Sequence, residues 1–344
     1  MSIMLNEFLS APDVVREVVT NNKQVIFNIA KEFKRRGITN ITTVARGTSD
    51  NAATYFKYVV EVIGGIMVSK FSPSITTVYG SHVNLSENMV LAISQSGMSI
   101  DTLMVVESAK QTGALTVGVT NNPDSPLAKL CDFHIFLTAG EERSVAATKT
   151  FIAQLTAMYM LANCLSNSPA KMNVSELPPL LHKFILNNQE ELRLFAEKTK
   201  SLNNFVILSR GMLQSVSGEL SLKMMESCYR FSRPFSTCEF MHGPLSLVEE
   251  NTPILLLAPS SEFSQEFINM ATRLSILGAS ITAFTDIKEV EDISHATFRM
   301  PFCRGMETPF LYTLAIELFV AYMAESLGIN PDTPRNMKKV TITK

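Results

Sequence analysis

Three ionisable side chains recur at helical spacing in the run SVSGELSLKMMESCYRF: Glu219, Lys223 and Glu226. Positions i, i+4 and i+7 share one face of a helix. Leu220, Leu222, Met224 and Met225 surround that stripe with apolar residues. On a solvated face the set is no more than a Glu-to-Lys helical pair. Lining a partly apolar pocket, a carboxylate there would have its pKa raised toward use as a base. Sixteen residues beyond Glu226, His242 stands directly before Gly243-Pro244, which predicts an exposed loop histidine held by stiff backbone. Histidine titrates near neutral pH and suits proton transfer. A lone histidine is more often structural, and His82, His134, His182 and His295 have no such setting. No His, Cys, Asp or Glu spacing resembles a metal site.

A second chemistry is carried by hydroxyls. Gly47-Thr48-Ser49, Ser94-Gln95-Ser96-Gly97-Met98-Ser99 and the run Glu142 to Lys149 (ERSVAATK) each follow a predicted strand where a helix begins. Hydroxyls and free backbone N–H groups at a helix start attract anions. Ser and Thr there are also ordinary helix caps, so it is the recurrence at three strand ends that points to a ligand, and SQSGMS suits a phosphate monoester. No GxGxxG and no GxxxxGK[ST] occurs, which disfavours a dinucleotide or a nucleoside triphosphate.

The elements that must hold these residues repeat. TNITTVARGTS (39–49) and NNFVILSRGML (203–213) carry Arg-Gly pairs at 46–47 and 210–211, an offset of 164. Leu91-Ala92-Ile93 and Leu255-Leu256-Leu257, read as the second strand of each copy, keep that offset. Helical stretches 101–112 and 265–276 follow, then the strands ALTVGVT and SITAFTD, then HIFLT (134–138) and ATFRM (296–300). Short apolar runs alternating with helices predict an α/β fold, two doubly wound parallel sheets in tandem. Ligands in such folds bind beyond the carboxyl ends of the strands. The expected organisation is a helical segment over 1–36, a first domain over 37–165 and a linker over 166–180. A second domain spans 181–330, and an irregular arm spans 331–344 with Arg335, Lys338 and Lys339. Copy two offers Ala258-Pro259-Ser260 in place of the hydroxyl set.

The 344 residues suit two domains of roughly 170 residues each. Hydrophobic residues make up 46% and charged ones 18%, so either the interior is large or a partner covers apolar surface. Thirty basic against 32 acidic side chains leave a formal charge of −2, which argues against a nucleic-acid footprint. Five cysteines without a CxxC pair read as free thiols in a reducing compartment. The opening MSIMLNEFLSAPDVVREVV carries early acidic residues and is neither a signal nor a transit peptide. The most apolar stretch, 151–165, has 15 residues where a membrane span needs about 20, so a core helix is expected. The expectation is a soluble, cytoplasmic protein.

Together these residues carry a resemblance. GTS after the first strand, SQSG…DTL (94–103), E-x-x-VAATK-x-F (142–151), LKMMES…CEFMHGPLSL (222–247) and PRNMKKVT (334–341) resemble the tandem SIS (sugar isomerase) family, in the form of the isomerase half of glucosamine-6-phosphate synthase. MLNEFLSAPDVV resembles the family's opening helix, so the likeness spans essentially the whole chain.

The resemblance implies a sugar 6-phosphate and no cofactor. The sugar phosphate would be bound by Gly47, Thr48, Ser49, Ser94, Gln95, Ser96, Ser99, Val145 and Ala146. It implies Glu226 as the base between C1 and C2, and His242 as the ring-opening group supplied by the neighbouring subunit of a homodimer. Lys223 would steady developing charge, and Lys339 would close over the sugar, where it can form an imine with an open-chain ketose.

Departures shape the expected reaction. Ser99 stands where the family usually has Thr, Met98 replaces a Glu, and Arg46 and Lys338 replace small residues. The sequence opens at the isomerase half, without the Cys-nucleophile glutaminase domain, and RGTSDNAA resembles the stand-alone deaminase branch. Release is therefore the expected direction: glucosamine 6-phosphate and water giving fructose 6-phosphate and ammonia. Two alternatives stay open. One is a deglycase for fructosamine 6-phosphates, whose carboxylate Arg46 and Lys338 could accept. The other is a sugar-phosphate sensor without catalysis, against which stand the intact acid–base set and the lack of a basic face.

Overall fold

The computed structural model describes residues 1–167, 172–303 and 305–339. In chain order the first half contains α1 (Ile3–Leu9), α2 (Ala11–Arg35), β1 (Asn40–Val44), α3 (Thr48–Gly64), β2 (Met67–Lys70), α4 (Ser74–Thr77), β3 (Asn88–Ile93), α5 (Ile100–Gln111), β4 (Leu115–Thr120), α6 (Pro126–Leu130), β5 (Phe133–Phe136) and α7 (Lys149–Leu165). The second half contains α8 (Leu177–Lys198), β6 (Phe205–Ser209), α9 (Leu213–Cys228), β7 (Ser232–Ser236), α10 (Thr237–Met241), β8 (Pro253–Ala258), α11 (Ser264–Ile276), β9 (Ser280–Thr285), α12 (Lys288–Ile293), β10 (Ala296–Arg299) and α13 (Thr308–Ser326).

Two compact units result. The first comprises Ser10–Pro178 with the tail residues 336–339, and the second comprises Met1–Leu9 with Pro179–Arg335. The helical segment over 1–36 is therefore divided, since α1 belongs to the second unit and α2 to the first.

The first unit is built on the sheet β2-β1-β3-β4-β5. Every pair is parallel, with Asn40 opposite both Met67 and Asn88, Met89 opposite Leu115, and Val117 opposite Phe133. All six residues of β4 are buried, as expected of a central parallel strand covered on both faces. The edge strand β2 buries only Val68, which is why its sequence carries no strand signal. Leu91-Ala92-Ile93 is therefore the third strand in chain order, because β2 precedes it. α7 buries 13 of its 17 residues, so the apolar stretch at 151–165 is a core helix packed against α2 and α3. Among the described residues no helix is long and apolar enough to cross a membrane.

The second unit repeats the plan as β7-β6-β8-β9-β10. Phe205 pairs with Ser232, Val206 with Ile254, Pro253 with Ser280, and Thr282 with Ala296, again in parallel. β1 and β6 begin at 40 and 205, β3 and β8 at 88 and 253, β4 and β9 at 115 and 280, 165 residues apart in each case. β7 is the unsignalled counterpart of β2. α13 buries 17 of its 19 residues and packs on α9 and α1, the behaviour of a helix that is apolar all round. Phe195, Phe284, Phe298 and Phe319 form one aromatic cluster with centroids 5.3–5.9 Å apart. Each such pair adds about 0.5–1.5 kcal/mol beyond its buried area. α1 is tied down at its start, where the Asp332 carboxylate accepts from the N–H groups of Ile3 (2.8 Å) and Met4 (2.9 Å).

One boundary differs from the sequence expectation. Within the expected linker 166–180 a 3-10 turn forms at Val174–Glu176, and α8 starts at Leu177. Asn173 accepts from the Ser175 N–H and caps this turn, and Leu177 and Leu181 are buried, so the helix begins before the apolar pattern becomes dense. Residues 168–171 of the expected linker and 340–344 of the expected arm lie outside the described residues.

Candidate active site

In the first unit the strand order reverses between β1 and β3, and two of the hydroxyl loops leave the sheet at that crevice. Gly47 adopts φ +55° and turns the chain from β1 into α3, whose first residues Thr48 and Ser49 are buried. The Ser49 hydroxyl accepts from Gln154 Nε2 on α7 at 3.0 Å. After β3, the Ser94 hydroxyl accepts from the Gly97 N–H (3.2 Å) and the Ser96 hydroxyl from the Met98 N–H (3.3 Å). The Gln95 carbonyl accepts from Asn121 N–H beyond β4. Gly97 has φ +66°, and a Cβ there would lie 2.2 Å from Ser125 Oγ, so this turn needs glycine. Gln95, Ser96 and Ser99 are half-buried, each with surface left for a ligand.

Arg46 and Asp101 join these loops. Arg46 donates from Nε (2.9 Å) and approaches with Nη2 (2.7 Å) to the buried Asp101 carboxylate, which also accepts from Ser99 Oγ and from Thr102 N–H. Burial pushes the Asp101 carboxyl up, but the Ser99 hydrogen bond and the Arg46 guanidinium outweigh it and hold it below the usual range. Arg46, offered by the sequence as a cation for a substrate carboxylate, is engaged by Asp101 while 60% of its side chain stays exposed.

The third loop is organised by a residue the sequence reading passed over. Glu142 is buried, and its Oε1 accepts from both the N–H and the hydroxyl of Thr148 (2.9 and 3.0 Å) and of Thr150 (3.0 and 2.8 Å), across the start of α7. Its Oε2 accepts from Lys339 Nζ at 2.7 Å, and the same ammonium donates to the Ser144 carbonyl at 2.7 Å. Desolvation raises the Glu142 pKa, but the Lys339 charge and these donors overcome it, leaving a net lowering. Within the loop so tied, Val145 is half-buried and Ala146 fully buried.

In the second unit α9 carries the charged stripe inward. Lys223 is fully buried, with Nζ 3.1 Å from Glu219 Oε1 and 2.6 Å from Glu226 Oε2. Glu219 is also fully buried, whereas Glu226 keeps 16% of its side chain exposed. The solvated-face alternative is excluded by this burial. Burial alone would lower the Lys223 pKa, but Glu219 and Glu226 hold it well above the usual lysine value. An unpaired ammonium at such a place would cost several kcal/mol. Two carboxylates against one ammonium leave a formal negative charge, and Glu226 is the member that faces outward. A carboxylate with a fixed ammonium beside it can accept a proton while the ammonium stabilises a neighbouring oxyanion.

His242 ends α10, exposed as expected. Its N–H donates to the Glu239 carbonyl at 3.0 Å, and Gly243 follows at φ +125°. Ser236 caps the helix by accepting from Glu239 N–H. Among the described residues no group of three His, Cys, Asp or Glu could hold a metal ion.

The strand reversal and the three hydroxyl loops lie within residues 36–164, the stretch that a family comparison matches. Residues 36–164 are an SIS domain. The chain that carries this SIS domain is similar to the glutamine–fructose-6-phosphate aminotransferase (isomerizing) of Aquifex aeolicus. The two are 31% identical over 99% of this chain and 57% of that protein. The enzyme of the same name from Thermococcus kodakarensis is 29% identical over 98% of this chain and 58% of its own length. The chain therefore spans less than three fifths of each of these relatives.

Among solved structures, a protein of Silicibacter pomeroyi provisionally named a phosphosugar isomerase superposes with TM-score 0.85 at 28% identity. It covers 96% of this chain and 100% of its own. The glucosamine-6-phosphate deaminase of Thermotoga maritima shares the fold, with TM-score 0.80 at 23% identity over 99% of this chain and 100% of its own.

Asp101 and Glu142 are the residues that sequence reasoning missed. Glu142 was visible only as the first letter of a motif. Asp101 had a signal in the repeat, because it stands 165 residues before Glu266 as Arg46 stands 164 before Arg210.

Proposed function

We propose that the chain is a sugar-phosphate isomerase of the SIS type working as a deaminase on glucosamine 6-phosphate, with the second unit a second SIS domain. The observation that carries this reading is the buried Lys223 held between two carboxylates, of which Glu226 alone reaches solvent. The relatives named above, an isomerising aminotransferase and a deaminase of the same fold, support the substrate class.

In this reading Ser49, Ser94, Gln95, Ser96 and Ser99 take the 6-phosphate, with backbone N–H groups of the Gly47-Thr48 and Val145-Ala146 turns beside them. His242 opens the pyranose by giving a proton to the ring oxygen while the C1 hydroxyl loses one. Glu226 then removes the C2 proton of the open-chain aminoaldehyde and returns it to C1. Lys223 steadies the negative charge that builds on O1 during this transfer. The product is an imine at C2, which water hydrolyses to fructose 6-phosphate and ammonia. Lys339 is the amine that exchanges with that imine. The protein is read as a homodimer in which His242 serves the partner's site, a role that its exposure on the second unit supports.

A coupled assay of ammonia and ketose 6-phosphate tests the proposal. Equimolar release of both from glucosamine 6-phosphate, abolished in Glu226→Gln, is the expected result. Amino-acid release from a fructosamine 6-phosphate without ammonia from glucosamine 6-phosphate would move the assignment to a deglycase. Phosphosugar binding without any turnover would leave a sensor.

A further inference from the structure

The Glu142 carboxylate is arranged as a holder of one cation. It is buried, one oxygen is saturated by four donors from Thr148 and Thr150, and the other oxygen faces the Lys339 ammonium at 2.7 Å. A buried carboxylate with one oxygen fully used by its own loop cannot rotate to follow a mobile partner. The partner must come to it. The Ser144 carbonyl supplies the second acceptor for the same ammonium, so two acceptors fix its direction. The described tail residues around Lys339 form no helix or strand, and this ammonium ties them to the loop of Glu142 and Ser144.

We infer that Glu142 is a positioning residue for Lys339, fixing its amine and with it the tail, without itself touching the substrate. The inference deepens the proposed function, because it is the Lys339 amine that meets the C2 carbon there. Condensation of that amine with a C2 carbonyl expels water and needs the amine to lose its proton and leave the carboxylate. The pair is therefore a latch that keeps Lys339 charged and parked until a sugar phosphate competes for it.

The test reads Lys339 directly. Glu142→Gln keeps an oxygen to accept from Thr148 and Thr150 and removes the charge facing Lys339. With folding checked by circular dichroism, the rate at which trinitrobenzenesulfonate modifies Lys339, followed by mass spectrometry without substrate, should rise about tenfold, the loss expected for one charge-assisted contact. An unchanged rate overturns the inference.

Should Glu142→Gln not fold, Lys339→Gln decides instead. Trypsin should then cut after Arg335 about tenfold faster than in the parent protein if the contact anchors the tail, and at the same rate if it does not. Activity adds the readout that a merely structural role would not move. Relative to Lys339→Gln, the double variant Glu142→Gln/Lys339→Gln should lose nothing further in kcat, while an additive loss means Glu142 acts elsewhere. The labelling and proteolysis arms use no substrate, so failure of the deaminase reading and failure of this inference give different results.

Discussion

Arg46 and Asp101 form an ion pair of 2.7 Å that ties the loop after β1 to the first turn of α5. In the second sheet Arg210 faces Glu266 at 3.4 Å, in the loop after β6 and the first turn of α11. The repeat has thus kept a loop-to-helix clasp at the strand reversal while the surrounding residues diverged. In the first unit the clasp reaches Ser99; in the second, Glu266 also takes the Thr237 hydroxyl, and Arg210 stacks on Phe263 at 5.5 Å.

Replacing Arg46 with Met leaves the Asp101 carboxylate buried beside Ser99 without its cation. Because Arg46 is itself 60% exposed, the expected loss is about 1–2 kcal/mol rather than the 3–5 of a fully buried pair. The KM for the sugar phosphate should rise through misplacement of Ser99. Urea unfolding and steady-state kinetics check both, and unchanged values in the two measurements would disconnect the clasp from the loop.

Within the α9 triad, stability and activity should separate. Lys223→Met strands two carboxylates beside an apolar core and should cost about 3–5 kcal/mol in urea unfolding. Glu226→Gln, at the solvent side of the triad, should fold normally and lose about 10²–10⁴ in kcat with KM little changed. A Glu226→Gln enzyme that keeps full turnover would remove Glu226 from the chemistry.

Acid should loosen the first unit in a defined window. The folded-state pKa of Glu142 lies below the usual 4.5, so its contribution is fully present above 4.5 and is lost as the pH falls through the lower folded value. The urea midpoint of the parent protein should therefore drop below pH 4.5 more steeply than that of Glu142→Gln. Parallel curves would mean that Glu142 titrates alike folded and unfolded. Lys223 works in the opposite sense. Its raised pKa gives stability that is complete below 10.5 and lost only as the pH climbs through the higher folded value.

At Gly97 a methyl group meets Ser125 Oγ and Cβ, and the backbone sits at φ +66°. Gly97→Ala should destabilise the protein by about 1–3 kcal/mol and weaken phosphosugar binding, since Ser94 and Ser96 are fixed through this turn. Calorimetric titration with a phosphosugar reads the second effect, and undiminished affinity would exclude the loop as the phosphate cradle.

Mixing inactive Glu226→Gln and His242→Ala proteins tests the shared site. If His242 acts on its partner's site, random reassociation of dimers restores about a quarter of parental activity. No recovery after verified subunit exchange would place His242 and Glu226 in service of the same chain's site.

Much of this architecture was legible because buried parallel strands write their burial into the sequence: ALTVGVT, LLLA and ITAFT hold only apolar residues, Gly and Thr, and each forms an inner strand. The 164-residue offset then aligned the two sheets. MVSK and SRPFS escaped because edge strands bury few side chains, so they carry no apolar run. The stripe of Glu219, Lys223 and Glu226 was legible as a face, but its burial was not, since i, i+4 charges look alike in water and in a core. Glu142 was hidden for another reason. Its meaning lies in Thr148, Thr150 and a lysine 197 residues away, a set that no local spacing displays.

The ties from α1 to Asp332 and α13 set a schedule for synthesis. Met4, Leu5 and Phe8 are buried in the finished protein, and α1 packs on α13, which is completed some 300 residues later. At about 5–20 residues per second, this heptapeptide waits roughly 15–60 s between its own synthesis and that of its partner. During that interval its apolar side chains stay unpaired on an otherwise folding chain, and the second unit can close only once α13 has been made.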